Sequence, residues 1–429
     1  MKKRRTGSND APHERAALVG LVGRARRSTD PDLILDELAG LARAAGAEVV
    51  LRVVQDRNSP DPATLIGRGK AEALAVSADE ARVDLVIVDN ELSPAQSRNL
   101  EKACGRRVID RTELILDIFA RRARTREGQL QVELAQLQYM LPRLAGSSEA
   151  LSRLGGGIGT RGPGETKLET DRRRIRHRIA ALKRDIADVG RRRDYLRARR
   201  RRADVPTVAL VGYTNAGKTT LFNRLTGADA TASDALFVTL DPLMRRMKLA
   251  DGRQIVLADT VGFIDRLPHQ LVAAFRATLE EVAAADLLLH VIDAAASDRS
   301  RRADAVRSVL AEVGAARVPV IEVFNKIDLV GEAELAGLRA AHPGALFIAA
   351  ATNEGRDGLV SAVAERLAMD AERVRLQFDD RRESDRKLVA ELYRHARVLS
   401  HVTDDARVSI EADVPRRLLA RYAGAKVPA

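Results

Sequence analysis

Tryptophan is absent from this 429-residue chain, and aromatic residues make up only 3% of it. This disfavours recognition built mainly on stacking bases against aromatic platforms. If nucleic acid is the partner, phosphate contacts and shape must carry the recognition. The one cysteine, Cys104, cannot form an intramolecular disulfide, and no Cys/His cluster has zinc spacing. A reducing cytoplasm is the expected setting. No apolar run reaches the ~18 residues of a membrane span. The basic start "MKKRRTGSNDAPHERAALVG" is followed by polar residues in place of an apolar signal core. The expectation is a soluble protein without a signal peptide or a membrane partner.

Positive charge is in excess. Lysine plus arginine number 72 against 60 acidic residues, a formal charge of +12, which favours a polyanionic partner. The length calls for several domains. Residues 1–30 read as a basic disordered tail. Over 31–126, helical segments such as "LILDELAGLARAAG" and "SPAQSRNLEKAC" alternate with strand-like "AEVVLRVVQ", "DLVIVD" and "RRVID". This predicts an N-terminal α/β domain.

In "QLQVELAQLQYMLPRL", Leu130, Leu134, Leu137, Leu141 and Leu144 recur at steps of four and three, and Pro142 is expected to end or kink the helix near Leu141. After a glycine-rich stretch the spacing resumes with Ile175, Ile179, Leu182, Ile186, Val189 and Leu196. Two such helices predict an antiparallel hairpin over 127–203, with the glycine loop at its tip. The arginines of "DRRRIRHRIAALKRDIADVGRRRDYLRARRRR" fit either a solvated helix face or a phosphate-tracking surface. The shortage of acidic neighbours favours the second. A second α/β domain is expected over 204–368. A small α+β domain over 369–429 reads as strand, helix, strand. The fold class is therefore multi-domain α/β.

"GYTNAGKT" follows the apolar strand "TVALV" and precedes the helix "TTLFNRL". This is the context a phosphate-binding loop G-x-x-x-x-G-K-[ST] requires. Gly212, Tyr213, Thr214, Asn215, Ala216, Gly217, Lys218 and Thr219 would wrap the phosphates, with Lys218 on the β and γ groups and the Thr219 hydroxyl on Mg²⁺. "VLADTVGF" adds Asp259, Thr260, Val261 and Gly262. Asp259 is placed to hold Mg²⁺ through water, and the Gly262 N–H to meet the γ phosphate. "VIEVFNKID" ends in Asn325, Lys326, Ile327 and Asp328. A carboxylate at 328 accepts from guanine N1–H and the N2 amino group, which adenine cannot supply, so GTP is selected over ATP.

Within "DALFVTLDP", Phe237, Val238, Thr239, Leu240 and Asp241 form a candidate mobile segment, with Thr239 completing the Mg²⁺ shell; an ordinary strand threonine fits equally well. Lys218, Thr239 and Gly262 are the candidates for catalysis. A second loop, "TLIGRGKA", has Thr64 and Ala71 where the motif needs glycine and Ser/Thr, and reads as a helix-start turn.

The order of these motifs resembles the translation-factor-related GTPases. "DPATLIGRGK", "TREGQLQVELAQLQYMLPRL", "GGGIGTRGPGETKLETDRRRIRHRI" and "LPHQLVAAFRATLEEV" are similar to the HflX family of ribosome-associated GTPases, over nearly the whole chain after the first thirty residues. The resemblance implies an N-terminal α/β-plus-hairpin domain before a P-loop GTPase domain. It also implies a GTP/GDP-binding, Mg²⁺-dependent cytoplasmic factor, expected to be monomeric off the ribosome. Such a factor binds the large ribosomal subunit and its rRNA and splits stalled or idle ribosomes. Assembly of the large subunit, and a binding module whose hydrolysis only times its release, are the alternatives.

On this reading Gly155, Gly156, Gly157, Arg161, Lys167, Arg172, Arg173 and Arg174 approach ribosomal RNA. A flexible turn is the plainer account of the glycines. Phe263 stands where small signalling GTPases carry a water-orienting glutamine, a feature the family shares, which implies slow hydrolysis without a partner. "FIAAATNEG" offers Ala349 and Ala350 where the family has a serine-alanine pair beside the guanine, leaving backbone contacts only.

Overall fold

The computed structural model describes residues 14–23, 31–144, 163–202, 205–230, 236–237, 239–249, 253–265, 276–368 and 371–427. Two compact units divide the chain. Residues 1–187, with 235–237 and 268–274, form the first, and the remainder forms the second.

The sheet of the first unit consists of β1 (Arg15–Val22), β2 (Glu48–Asp56), β3 (Leu85–Val88) and β4 (Arg107–Asp110), all parallel, in the order β2-β1-β3-β4. β1 overturns the expectation that residues 1–30 form a disordered tail. Its run Ala16–Val22 is apolar apart from Gly20 and buried, and it lies between β2 and β3. Burial in the middle of a parallel sheet outweighs the polar residues ahead of it. Residues 1–13 and 24–30 lie outside the described residues.

Helices α1 (Pro31–Ala44), α2 (Arg68–Glu80) and α3 (Pro94–Cys104) connect these strands. α2 begins within "TLIGRGKA", at the helix-start turn expected there. α3 opens on a reciprocal cap: the Gln96 N–H donates to Ser93 Oγ and the Ser93 N–H to the Gln96 side chain.

α4 (Arg111–Arg122) and α5 (Arg126–Leu144) follow. Arg111, 4% exposed, pairs with Asp89 at 2.9 Å and with Glu37. Arg143 donates to Asp110 Oδ2 and to Leu92 O, both at 2.9 Å, while its guanidinium lies 3.4 Å from the Tyr139 ring centre. Buried charge is tolerated because each group is paired. The leucine seam expected on α5 is only half-buried. The deepest positions include Val132, Ala135 and Tyr139, on a face shifted from the leucines. Pro142 does not stop the helix, which runs two residues further to Leu144.

α6 (Pro163–Arg202) is one 40-residue helix. Its stripe of Ile175, Ile179, Ile186 and Val189 is half-buried and Leu182 is fully buried. Arg178 donates twice to Glu133 of α5, at 2.7 Å each. The division between the two compact units falls inside α6, after residue 187. Beyond it, Arg193 pairs with Glu280 at 3.0 Å within the second unit. Gly190 lies in mid-helix, where an added Cβ would meet nothing within 4 Å among the described residues. The hairpin tip, with Gly155, Gly156, Gly157 and Arg161, lies outside the described residues, as does the Lys167 side chain.

The second unit holds β5 (Thr207–Gly212), α7 (Lys218–Thr226), β6 (Leu243–Lys248), β7 (Gln254–Asp259), α8 (Arg276–Ala283), β8 (Leu287–Asp293), α9 (Arg299–Glu312), β9 (Val320–Asn325), α10 (Glu332–Ala341), β10 (Leu346–Phe347) and α11 (Arg356–Ala368). The sheet order is β10-β9-β8-β5-β7-β6, with only β6 antiparallel. The carboxyl ends of β5, β7 and β9 therefore share one edge, where open α/β sheets hold their ligands.

The rest of the chain forms a three-stranded antiparallel sheet of β11 (Ala371–Asp379), β12 (Arg397–Asp404) and β13 (Arg407–Pro415), ordered β11-β13-β12, with α12 (Glu383–His395). The strand-helix-strand expectation lacked β12. Its residues are nearly all exposed, so no alternation marks it.

His290 on β8 is 2% exposed, in register with Glu322 on β9. Burial pushes its pKa from 6.5 down to about 4, against the opposing pull of Glu322. Between pH 6.5 and 4 the unfolded chain binds a proton that the folded chain refuses, so stability falls as the pH falls through that window. His290→Phe is expected to remove about 2 kcal/mol of the stability lost between pH 7 and pH 5. Urea unfolding of both proteins at the two pH values measures it; parallel losses would count against this assignment.

Candidate functional site

The loop after β5 turns through Gly217, whose φ of +90° is left-handed and whose added Cβ would stand 2.2 Å from Asn325 Nδ2. Only glycine fits there. Lys218 then opens α7. Its Nζ, buried at 6% exposure, donates to Gly212 O at 2.9 Å and Tyr213 O at 2.7 Å. Burial lowers its pKa from 10.5 to about 8, with Asp259 pulling the other way. Asp259, at the end of β7 and 0% exposed, is pushed up by burial, with Lys218, Thr219 and Thr239 opposing.

Three oxygen-bearing side chains meet at this point. Thr219 Oγ1 donates to Asp259 Oδ2 at 2.8 Å, Thr239 Oγ1 donates to the same oxygen at 3.1 Å, and the two hydroxyls are 2.8 Å apart. Asp259 Oδ1 is buried with no hydrogen-bond partner among the described residues. Convergent hard oxygens with one orphaned carboxylate oxygen fit a small hard cation. Thr239 belongs to no strand, so the plain strand account of this threonine fails.

Asn325 joins two loops. Its Nδ2 donates to Ala216 O at 2.9 Å, and its Oδ1 accepts from Ala350 N at 2.9 Å. The loop expected beside the base is thereby bonded to the loop expected around the phosphates. Ala349 donates its N–H to Glu354 O at 3.0 Å. Lys326, at φ +65°, pairs with Asp293 at 2.9 Å, and Ile327 is buried. Asp328 is exposed in the short turn Ile327–Leu329. This turn presents a carboxylate at the sheet edge.

The segment after β7 lies against the phosphate loop. Phe263 N–H donates to Gly212 O at 3.1 Å, and Thr214 N–H donates to Phe263 O at 2.7 Å. An added Cβ on Gly262 would stand 2.9 Å from Thr214 Cα and 3.2 Å from Lys218 Nζ, so close approach requires glycine here. Thr260 Oγ1 donates to Leu210 O at 2.6 Å, and Val261 is buried. Asn215 is exposed at a positive φ of 60°. Leu240 is buried and Asp241 half-buried, while Val238 lies outside the described residues. Phe237, expected at the nucleotide, instead sets its ring edge-on to Phe119 with centres 4.7 Å apart, inside the first unit.

Phe263 is only 2% exposed. Placing a glutamine there would bury an amide in an apolar position at a cost of about 1–3 kcal/mol. Phe263→Gln is therefore expected to lower the thermal midpoint without speeding phosphate release. A faster rate with an unchanged midpoint would show that the side chain can reach attacking water.

Sequence reading missed the Asn325 bridge, the Lys326–Asp293 pair and the hydrogen bond from Asp265 N–H to the Tyr213 hydroxyl at 2.8 Å. The partners are far apart in sequence, and no local pattern marks them.

The chain is similar to known proteins over most of its length. Residues 33–120 match the family described as GTP-binding GTPase N-terminal, 122–200 the GTP-binding GTPase Middle Region, and 207–326 the 50S ribosome-binding GTPase. It is 47% identical over 401 residues to GTPase HflX of Caldanaerobacter subterraneus subsp. tengcongensis, covering 94% of this chain and 91% of that one. GTPase HflX of Escherichia coli K12 is 50% identical over 336 residues, 78% of this chain and 79% of its own. GTPase HflX of Lacrimispora saccharolytica is 50% identical over 328 residues, 76% and 77% of the two chains.

Proposed function

The chain belongs to the HflX family of GTPases, and we propose that its GTP-bound form binds the large ribosomal subunit and separates or rescues stalled ribosomes, hydrolysis releasing it. The observation that carries the ribosomal reading beyond the family match is α6. Arg173, Arg176, Lys183 and Arg184 are exposed along it and have no ion-pair partner among the described residues. Together with Arg172 and Arg174 they make a basic helix suited to phosphates of ribosomal RNA.

In the GTPase site, Lys218 and the loop amides from Gly212 to Thr219 bind the phosphates. Thr219, Thr239 and Asp259 hold Mg²⁺, which when bound offsets phosphate charge. Asn325 fixes the base-side loop, Asp328 reads guanine, and the Gly262 N–H faces the γ phosphate. Phe263 has no group to orient water, so hydrolysis is slow until the ribosome orders the site. No helix among the described residues is long and apolar enough to cross a membrane. The basic helix acts on ribosomes, which on the ribosomal reading places the protein in the cytoplasm.

The test mixes purified protein with intact ribosomes and either GTP or a non-hydrolysable analogue, following light scattering and phosphate release. Splitting with the analogue and ribosome-stimulated hydrolysis with GTP are expected. If neither occurs, the ribosomal reading fails.

A further inference from the structure

Phe263 supplies no polar side chain to the reaction, so the position of the neighbouring Gly262 backbone has to be imposed by something else. The segment 263–265 is held in three ways. Two are the backbone bonds between Phe263 and the loop at Gly212 and Thr214. The third is made by side chains. The Tyr213 hydroxyl, on a residue 6% exposed, accepts from Asp265 N at 2.8 Å. Arg301 of α9 donates to Asp265 Oδ2 at 2.6 Å, and its other terminal nitrogen donates to Asp298 Oδ2 at 2.5 Å. Asp265 is thus gripped at its backbone by the phosphate loop and at its carboxylate by α9.

We propose that Tyr213 and Arg301 are positioning residues that latch the segment after Gly262 to the phosphate loop, so that the Gly262 N–H is set for the γ phosphate of GTP. The inference rests on the reading that Gly262 faces that phosphate. Tyr213 acts through its phenolic oxygen, separately from the loop amides that wrap the phosphates. Because GDP lacks the γ group, the latch contributes to GTP binding and to turnover but not to GDP binding. Arg301 is held in turn by Asp298, so its charge is fixed in direction before it meets Asp265.

The experiment compares affinities for GDP and a non-hydrolysable GTP analogue, and the single-turnover hydrolysis rate, in the full chain carrying Tyr213→Phe, Arg301→Gln, Arg301→Lys or Gly262→Ala. Tyr213→Phe deletes one hydrogen bond. It is expected to weaken the analogue about fivefold relative to GDP and to slow hydrolysis by a similar factor. Arg301→Gln should shift the same ratio, and Arg301→Lys, which keeps the charge, should recover part of it.

Gly262→Ala should displace the backbone from Thr214 and lower the analogue-to-GDP preference most. If Gly262→Ala changes that preference but Tyr213→Phe and Arg301→Gln do not, the latch is wrong while the γ-phosphate reading stands. If Gly262→Ala weakens both nucleotides equally, the underlying reading is itself wrong. Equal loss of both nucleotides in Tyr213→Phe would mark a purely structural role and overturn the proposal.

Discussion

Asp328→Asn is expected to lower GTP affinity by at least about 100-fold and to bring xanthosine triphosphate into the range in which wild type binds GTP. A carboxylate offers two acceptors to guanine N1–H and N2–H. An asparagine amide has one acceptor and one donor, and the donor would face the guanine amino group. Xanthine carries a carbonyl at that position, so the amide pairs again. The turn Ile327–Leu329 leaves Asp328 exposed, and the Lys326–Asp293 pair anchors the residue just before the turn. The exchange thus changes one functional group on a fixed backbone. Competition of both nucleotides against a fluorescent analogue measures the switch. Weakened GTP binding without gained xanthosine binding would mean that Asp328 supports the turn and does not read the base.

Lys218→Ala is expected to cut GTP hydrolysis by about a thousandfold, the scale for removing a charge clamp on a transferring phosphoryl group. The same substitution should leave the thermal midpoint unchanged or slightly raised. Lys218 is buried, and burial depresses its pKa to about 8, so folding bears a cost for keeping it charged at neutral pH. Deleting it relieves that cost but leaves Asp259 without its nearest compensating cation, which limits the gain. Phosphate release and thermal melting on the same preparation separate lost chemistry from lost structure. Substantial residual hydrolysis would mean that the loop amides alone carry the phosphate charge.

The nucleotide motifs could be read from the sequence because their chemistry is local. A glycine turn, a lysine and a hydroxyl within eight residues have few other uses. β1 was hidden because its basic approach resembles a tail, and only its neighbours β2 and β3, far along the chain, make it central. β12 is exposed and patternless, and only its pairing with β13 defines it. The charge pairs of Arg111 and Arg143 join residues 22 or more positions apart, beyond any periodicity. Phe237 was assigned by its place beside Thr239, yet its ring stands edge-on to Phe119, a partner far along the chain that no local pattern marks.

Gly190 has a mechanical consequence. Glycine in mid-helix costs about 1 kcal/mol relative to alanine, and none of the described residues is packed where the methyl would go. A helix 40 residues long thus has a compliant turn three residues beyond the point where one compact unit gives way to the other. Under load, the backbone around residue 190 should fray first. Its amides should exchange with solvent ahead of those about Leu182, and the rod yields there without either core having to open.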